Sequence, residues 1–132
     1  MTILIVEDHD AVRRALRTWL MNAFPRQRVL VAASGEEALA LAQAECPYLI
    51  IMDVRLPGMN GFEATRQIKA AAPTVQVVIL TIHEGEPYRT AAAAAGAAAY
   101  VPKRAMQTDL LPTVNALLSL EAGQPVRERP CG

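Results

Sequence analysis

Five short apolar runs recur along the chain. They are ILIV (3–6), VLV (29–31), YLIIM (48–52), VQVVIL (75–80) and AAYV (98–101). β-branched and aliphatic residues dominate them, without strict polar alternation, which is the pattern of strands covered on both faces. Longer stretches with helical periodicity lie between. Residues 11–23 place Val12, Leu16, Trp19, Leu20 and Ala23 on one face and Arg13, Arg14 and Arg17 off it. Residues 34–45 open with Ser34 and Glu37, the spacing of a capping box. Residues 61–72 stop before Pro73, and residues 87–95 start at Pro87 and continue in alanine. Residues 108–120 form the last helical stretch, with Pro112 tolerable only near its start. Strand and helix, repeated five times, predict an α/β domain with a parallel sheet and helices on both faces. The final stretch, EAGQPVRERPCG (121–132), loses periodicity and gains Gly, Pro and charge. It reads as a linker or tail after a domain over 1–120, and so as the start of a connection to something longer.

Composition narrows the function classes. At 132 residues the chain suits one domain, and its core can close without a metal or disulfide staple. Thirteen basic residues balance thirteen acidic ones, so no charge excess points to nucleic acid or an anionic membrane. No apolar run approaches the ~20 residues of a membrane helix, and MTILIVEDHD lacks the basic start of a signal peptide. Cys46 and Cys131 have neither CxxC nor zinc spacing and read as reduced thiols of a cytoplasmic protein.

The chemistry lies at the strand ends. In an open α/β sheet, ligands bind outside the carboxyl ends of the strands. The first strand leads into Glu7 and Asp8, the third into Asp53, the fourth ends in Thr81, and the fifth is followed two residues on by Lys103. Carboxylates gathered on one rim repel unless a cation is present. Hard oxygen donors of this kind suit Mg²⁺, which shares its coordination sphere between carboxylates, water and phosphate oxygens. A carboxylate can also act as a nucleophile toward phosphorus. Lys103 and Thr81 would then neutralise and hydrogen-bond the transferred group.

ILIVEDHD, LIIMDVRLPGMNG, VVILTIHE and AYVPK together resemble the receiver domain of bacterial two-component response regulators, over residues 2 to about 120. The resemblance implies a flavodoxin-like (βα)5 three-layer sandwich with a five-stranded parallel sheet of order 2-1-3-4-5. It implies Asp53 as the phospho-acceptor for a sensor histidine kinase. Glu7, Asp8, Asp53 and the backbone carbonyl of Arg55 would hold Mg²⁺, with Glu7 where the family more often has Asp. Lys103 would pair with the phosphoryl group, Thr81 and Tyr100 would form the switch, and Arg55 and His83 would tune dephosphorylation. Pro57, Gly58 and Gly61 shape the loop after Asp53. Switching would act on the face of the fourth helix, fifth strand and fifth helix, and homodimer formation on phosphorylation is a further expectation. Such a domain is a phospho-acceptor that assists its own phosphorylation and dephosphorylation rather than an enzyme. LTIHE and the Val-Pro after Tyr100 resemble the branch with a LuxR-type helix-turn-helix output. Transcription would then be controlled through DNA contacts made by an absent output domain, with no membrane involvement. Arg104 stands where many receivers have a proline after a cis bond.

Three other readings compete. A stand-alone receiver would act by protein–protein contacts alone. A haloacid-dehalogenase-like phosphatase also uses an Asp nucleophile and Mg²⁺, but needs an Asp where this chain has Arg55. A flavodoxin-type ligand module needs a glycine-rich phosphate loop where this chain has EDHDAV.

Overall fold

The computed structural model describes residues 1–122, the side chains of residues 121 and 122 excepted. Five strands, β1 (Thr2–Val6), β2 (Arg28–Ala32), β3 (Leu49–Met52), β4 (Gln76–Thr81) and β5 (Ala99–Pro102), alternate with five helices. These are α1 (Asp10–Ala23), α2 (Gly35–Glu45), α3 (Gly61–Ala71), α4 (Glu86–Ala95) and α5 (Met106–Ala122). All strand pairs are parallel and the sheet order is β2-β1-β3-β4-β5, the expected flavodoxin-like arrangement.

The absence of polar alternation in the strands has a direct cause: each strand feeds two cores. Leu4, Val6, Ile50, Met52, Val77 and Ile79 pack with Ala38 and Ala42 of α2, Ala64 and Ile68 of α3, and Ala92 of α4. Ile3, Ile5, Leu49, Ile51, Val78 and Leu80 pack with Leu16 and Leu20 of α1 and Leu110, Val114 and Leu118 of α5. Successive residues point to opposite faces, so the sheet separates a layer of three helices from a layer of two.

The helix signals act as local chemistry requires. Ser34 Oγ accepts from the Glu37 amide at 3.1 Å, and Glu37 Oε1 accepts from Ala33 N at 2.6 Å. Gly96 closes α4 at φ 97°, a left-handed conformation open to glycine, and its N–H reaches the carbonyls of Ala92 and Ala93. The alanine run thus divides into α4, a glycine stop and the start of β5.

Several expectations shift. Ala23 is exposed: it is the last residue of α1 and lies beyond Leu20, the last residue of that face to be buried. α5 begins at Met106, so Pro112 lies inside the helix rather than in its first turn. Pro112 and Thr108 are both exposed, so water can serve the Thr108 carbonyl that a proline cannot bond. α5 continues to Ala122, past the expected boundary at 120, and residues 123–132 of the expected linker lie outside the described residues. Cys46 carries a disulfide, contrary to the expectation of a reduced thiol, at an exposed left-handed position (φ 48°) closing α2. Cys131 lies outside the described residues. The Lys103–Arg104 peptide is trans.

Candidate functional site

Parallel pairing brings the strand ends together. Val6 is in register with Met52, Met52 with Ile79, and Thr81 with Pro102. Glu7, Asp53, Thr81 and Lys103 are therefore neighbours on one rim, although they come from the whole length of the chain. The ladder extends past the strands to fix two of them: Glu7 N donates to Ala32 O at 3.0 Å, and Asp53 N to Val6 O at 3.1 Å. The fifth strand runs to Pro102, so Lys103 follows it directly and opens one turn of 3-10 helix over Lys103–Ala105.

The rim concentrates charge in a poorly solvated place. Glu7 is 2% exposed and Asp53 7%, while Asp8 is open to solvent. One carboxylate oxygen from each of Glu7, Asp8 and Asp53 lies within 4.8 Å of the others. Lys103 Nζ sits 2.7 Å from Glu7 Oε1 and 3.3 Å from Asp53 Oδ2. Burial acts to lower the Lys103 pKa, but its hydrogen bond to Glu7 and the charges of Asp53 and Glu7 outweigh this and hold it above its ordinary value. Glu7 Oε2 accepts from His9 N at 3.1 Å, and Asp53 Oδ1 from Val54 N at 2.7 Å. Three carboxylates against one ammonium leave two formal negative charges (−3 + 1 = −2). An all-oxygen donor set with that residual charge fits a hard divalent cation such as Mg²⁺.

The backbone of the next loop must pass close to Asp53. A Cβ on Gly61 would stand 2.0 Å from the Asp53 carbonyl oxygen, so only glycine fits. Its N–H closes the loop onto Val54 O at 2.8 Å. Arg55, Pro57 and Gly58 lie on the exposed arc between.

Thr81 is fully buried, and its Oγ1 accepts from His83 N at 3.2 Å. The Tyr100 hydroxyl donates to the His83 carbonyl oxygen. One residue's backbone thus joins Thr81 to Tyr100. Arg55 Nε donates to His83 Nε2 at 2.9 Å, bridging the loops after β3 and β4.

Four further residues carry no signal in the sequence. The Tyr88 ring stacks on His83 with centroids 5.2 Å apart and planes at 22°. Arg89 Cζ lies 4.8 Å from the Tyr100 ring centroid. Arg13 Nη1 donates to Glu7 O at 3.0 Å, steadying the turn that carries two of the carboxylates. Glu84 pairs with Arg104 Nε at 2.7 Å. None of these contacts follows from helical or strand spacing, since each joins separate elements or the loops beside them. His9 is the residue before α1, and its side chain makes no cap hydrogen bond. A groove of about 640 Å³ between α1 and the start of α5, lined by Val12, Leu16, Trp19 and Met106 among others, contains none of the rim residues.

A (βα)5 sheet of this order with an acidic rim and a conjugate lysine defines a receiver-type signalling domain. The family model described as "Response regulator receiver domain" matches residues 3–115, and the chain belongs to that family. It is 39% identical to the response regulator GacA of Pseudomonas protegens over 122 residues, which are 92% of this chain and 56% of that protein. The chain thus spans little more than half of that relative's length. A DNA-binding response regulator of the LuxR family from Staphylococcus aureus superposes with a TM-score of 0.81 at 26% identity, covering 88% of this chain and 97% of that one. The chemotaxis protein CheY4 of Vibrio cholerae gives 0.81 at 29% identity, with coverage of 88% and 97%. This chain is therefore a receiver domain of two-component signalling. Among its described residues no helix is long and apolar enough to cross a membrane.

Proposed function

We propose that Asp53 accepts a phosphoryl group from a phosphohistidine of a sensor kinase. The single observation that carries this reading is the buried Asp53 carboxylate clustered with Glu7 and Asp8 and faced by Lys103. In the transfer, an Asp53 carboxylate oxygen bonds to phosphorus as the P–N bond to the kinase histidine breaks. The freed imidazole nitrogen keeps the electron pair, and an acyl phosphate remains on Asp53. Lys103 holds a positive charge beside the phosphoryl oxygens, and the Thr81 hydroxyl turns to hydrogen-bond one of them. Glu7, Asp8, Asp53 and the Arg55 carbonyl would hold Mg²⁺. That ion supplies charge neutralisation for the phosphoryl group. A water oxygen later bonds to phosphorus as the bond to the Asp53 oxygen breaks, releasing inorganic phosphate and the free carboxylate, so the domain assists its own phosphorylation and dephosphorylation without being an enzyme for other substrates. Arg55 and His83 tune that step.

The readout is a population shift. Thr81 moving toward the phosphoryl group releases His83 N, and the change passes through the His83 peptide to Tyr100. The face of α4, β5 and α5 then changes its partner preference, with homodimer formation as one outcome. Likeness to GacA and to a LuxR-family DNA-binding regulator supports a transcriptional output, in the cytoplasm, through a module beyond this chain. Residues 1–120 form the receiver in this reading, and residues 121–132 lead to that module.

The test is incubation with acetyl phosphate and Mg²⁺, read by intact mass. The wild type gains one phosphoryl group and Asp53→Asn gains none. Phosphorylation of Asp53→Asn at the wild-type level would overturn the assignment.

A further inference from the structure

Arg55 lies two residues beyond Asp53, which follows β3, and His83 two residues beyond Thr81, which ends β4. β3 and β4 are adjacent in the sheet. The Arg55 Nε to His83 Nε2 hydrogen bond of 2.9 Å therefore spans the two loops that flank Asp53 and Thr81. In this bond Arg55 donates, so His83 Nε2 is the unprotonated ring nitrogen and Nδ1 carries the hydrogen. The bond forms only if the imidazole is held with Nε2 toward the guanidinium. Two features fix it. The His83 backbone is anchored at both ends, by Thr81 Oγ1 on its N–H and by the Tyr100 hydroxyl on its carbonyl. That leaves the ring free to rotate about its side-chain bonds, and the Tyr88 ring, stacked at 5.2 Å and 22°, restrains it.

We propose that Tyr88 is a positioning residue for the acyl phosphate of Asp53, acting through His83 to hold the Arg55 guanidinium between the two loops. The inference rests on the reading of Asp53 as phospho-acceptor. Held by Nε, the guanidinium keeps its two Nη groups for phosphoryl oxygens, the fixed fork that suits an oxyanion. Tyr88 stands in the first turn of α4, so the phosphate lifetime is coupled to the position of that helix. This route is separate from the Thr81–His83–Tyr100 backbone chain, because it runs through rings and a guanidinium.

The experiment uses residues 1–132 phosphorylated with acetyl phosphate in Mg²⁺, stripped of donor, and followed by intact mass as the phosphoryl group is lost. Side-chain ¹⁵N resonances of His83 are recorded at about pH 8, where an ordinary imidazole is neutral. Tyr88→Ala and Tyr88→Leu should each shorten the lifetime about threefold, the size expected of one lost ring stack. Both should also shift the His83 Nε2 resonance. Tyr88→Phe, which keeps the ring, should restore lifetime and resonance alike. In an Arg55→Ala background, Tyr88→Ala should add nothing further. A wild-type lifetime in Tyr88→Ala, or an undiminished effect in the Arg55→Ala background, would overturn the inference while leaving Asp53 as acceptor. Failure of the wild type to take up phosphate would overturn both readings, and the mass measurement separates that case from the others.

Discussion

Lys103 Nζ lies 2.7 Å from Glu7 Oε1, joining residues 96 positions apart in the chain. The contact ties the first strand of the sheet to the last element before α5. It places the only lysine of the rim between a carboxylate that is 2% exposed and the candidate acceptor Asp53.

Removing that cation should expose the repulsion it offsets. With Lys103→Met, three carboxylates are left without their ammonium partner. Stability without added divalent ion should fall by about 1–3 kcal/mol, toward the lower end for a pair that keeps some solvent contact. Mg²⁺ should restore more stability to the variant than to the wild type, because the ion then meets a site one unit more negative. Urea unfolding with and without Mg²⁺ checks both, and an equal Mg²⁺ effect in the two proteins would count against the cluster as a cation site.

Gly61→Ala should cost about 2–4 kcal/mol, the range of severe backbone conflicts. The added methyl would meet the Asp53 carbonyl oxygen at 2.0 Å, and backbone cannot step aside as a flexible side chain can. Because the loop carries Arg55 and anchors the residue after Asp53, phosphate uptake should fall as well. A urea midpoint within error of wild type would show that the loop has room to spare.

Tyr100 offers a test by pH. Burial, the largest influence, pushes its phenol above the ordinary value of 10.0, with Arg89 opposing and Glu84 and Tyr88 adding to the rise. A raised pKa means that the folded state favours the neutral phenol. Its contribution is complete below the unfolded-state value and is lost as pH rises through the folded-state value. Tyr100→Phe should therefore show a shallower loss of stability in the alkaline range than the wild type. Absorbance at about 295 nm, where tyrosinate absorbs, should lose a component that titrates above the ordinary phenol range in that variant.

Pro112→Ala should stabilise the domain by about 1–3 kcal/mol, since proline is the poorest residue for a helix interior. The alanine N–H could bond the Thr108 carbonyl, and the site is exposed, so no packing is disturbed. Hydrogen exchange through the first turns of α5 should slow. An unchanged melting temperature would show that the helix has already adapted to the ring.

Much of this was legible because it depends on local order. Unbroken aliphatic runs mark strands with two covered faces, and Ile3 and Leu4 do enter different cores. A residue just past a strand must emerge at the sheet edge, which is why Glu7, Asp53 and Lys103 could be read from position alone. Tyr88 and Arg13 could not. Tyr88 sits five residues after His83 across a loop, and only the angle at which α4 meets the sheet brings the rings together. The exposure of Ala23 and the early start of α5 likewise depend on how the helices lie on the sheet.

The sequence by itself determined the element order, the parallel sheet and the set of chemical groups on its rim, because hydrophobic period and strand ends are properties of neighbouring residues. Tertiary structure decided which rim groups touch: Lys103 with Glu7 as well as Asp53, Arg55 with His83, and His83 with Tyr88 and Tyr100. Those contacts depend on ångström-scale spacing between elements. Packing of the two cores sets that spacing, and no local pattern encodes it.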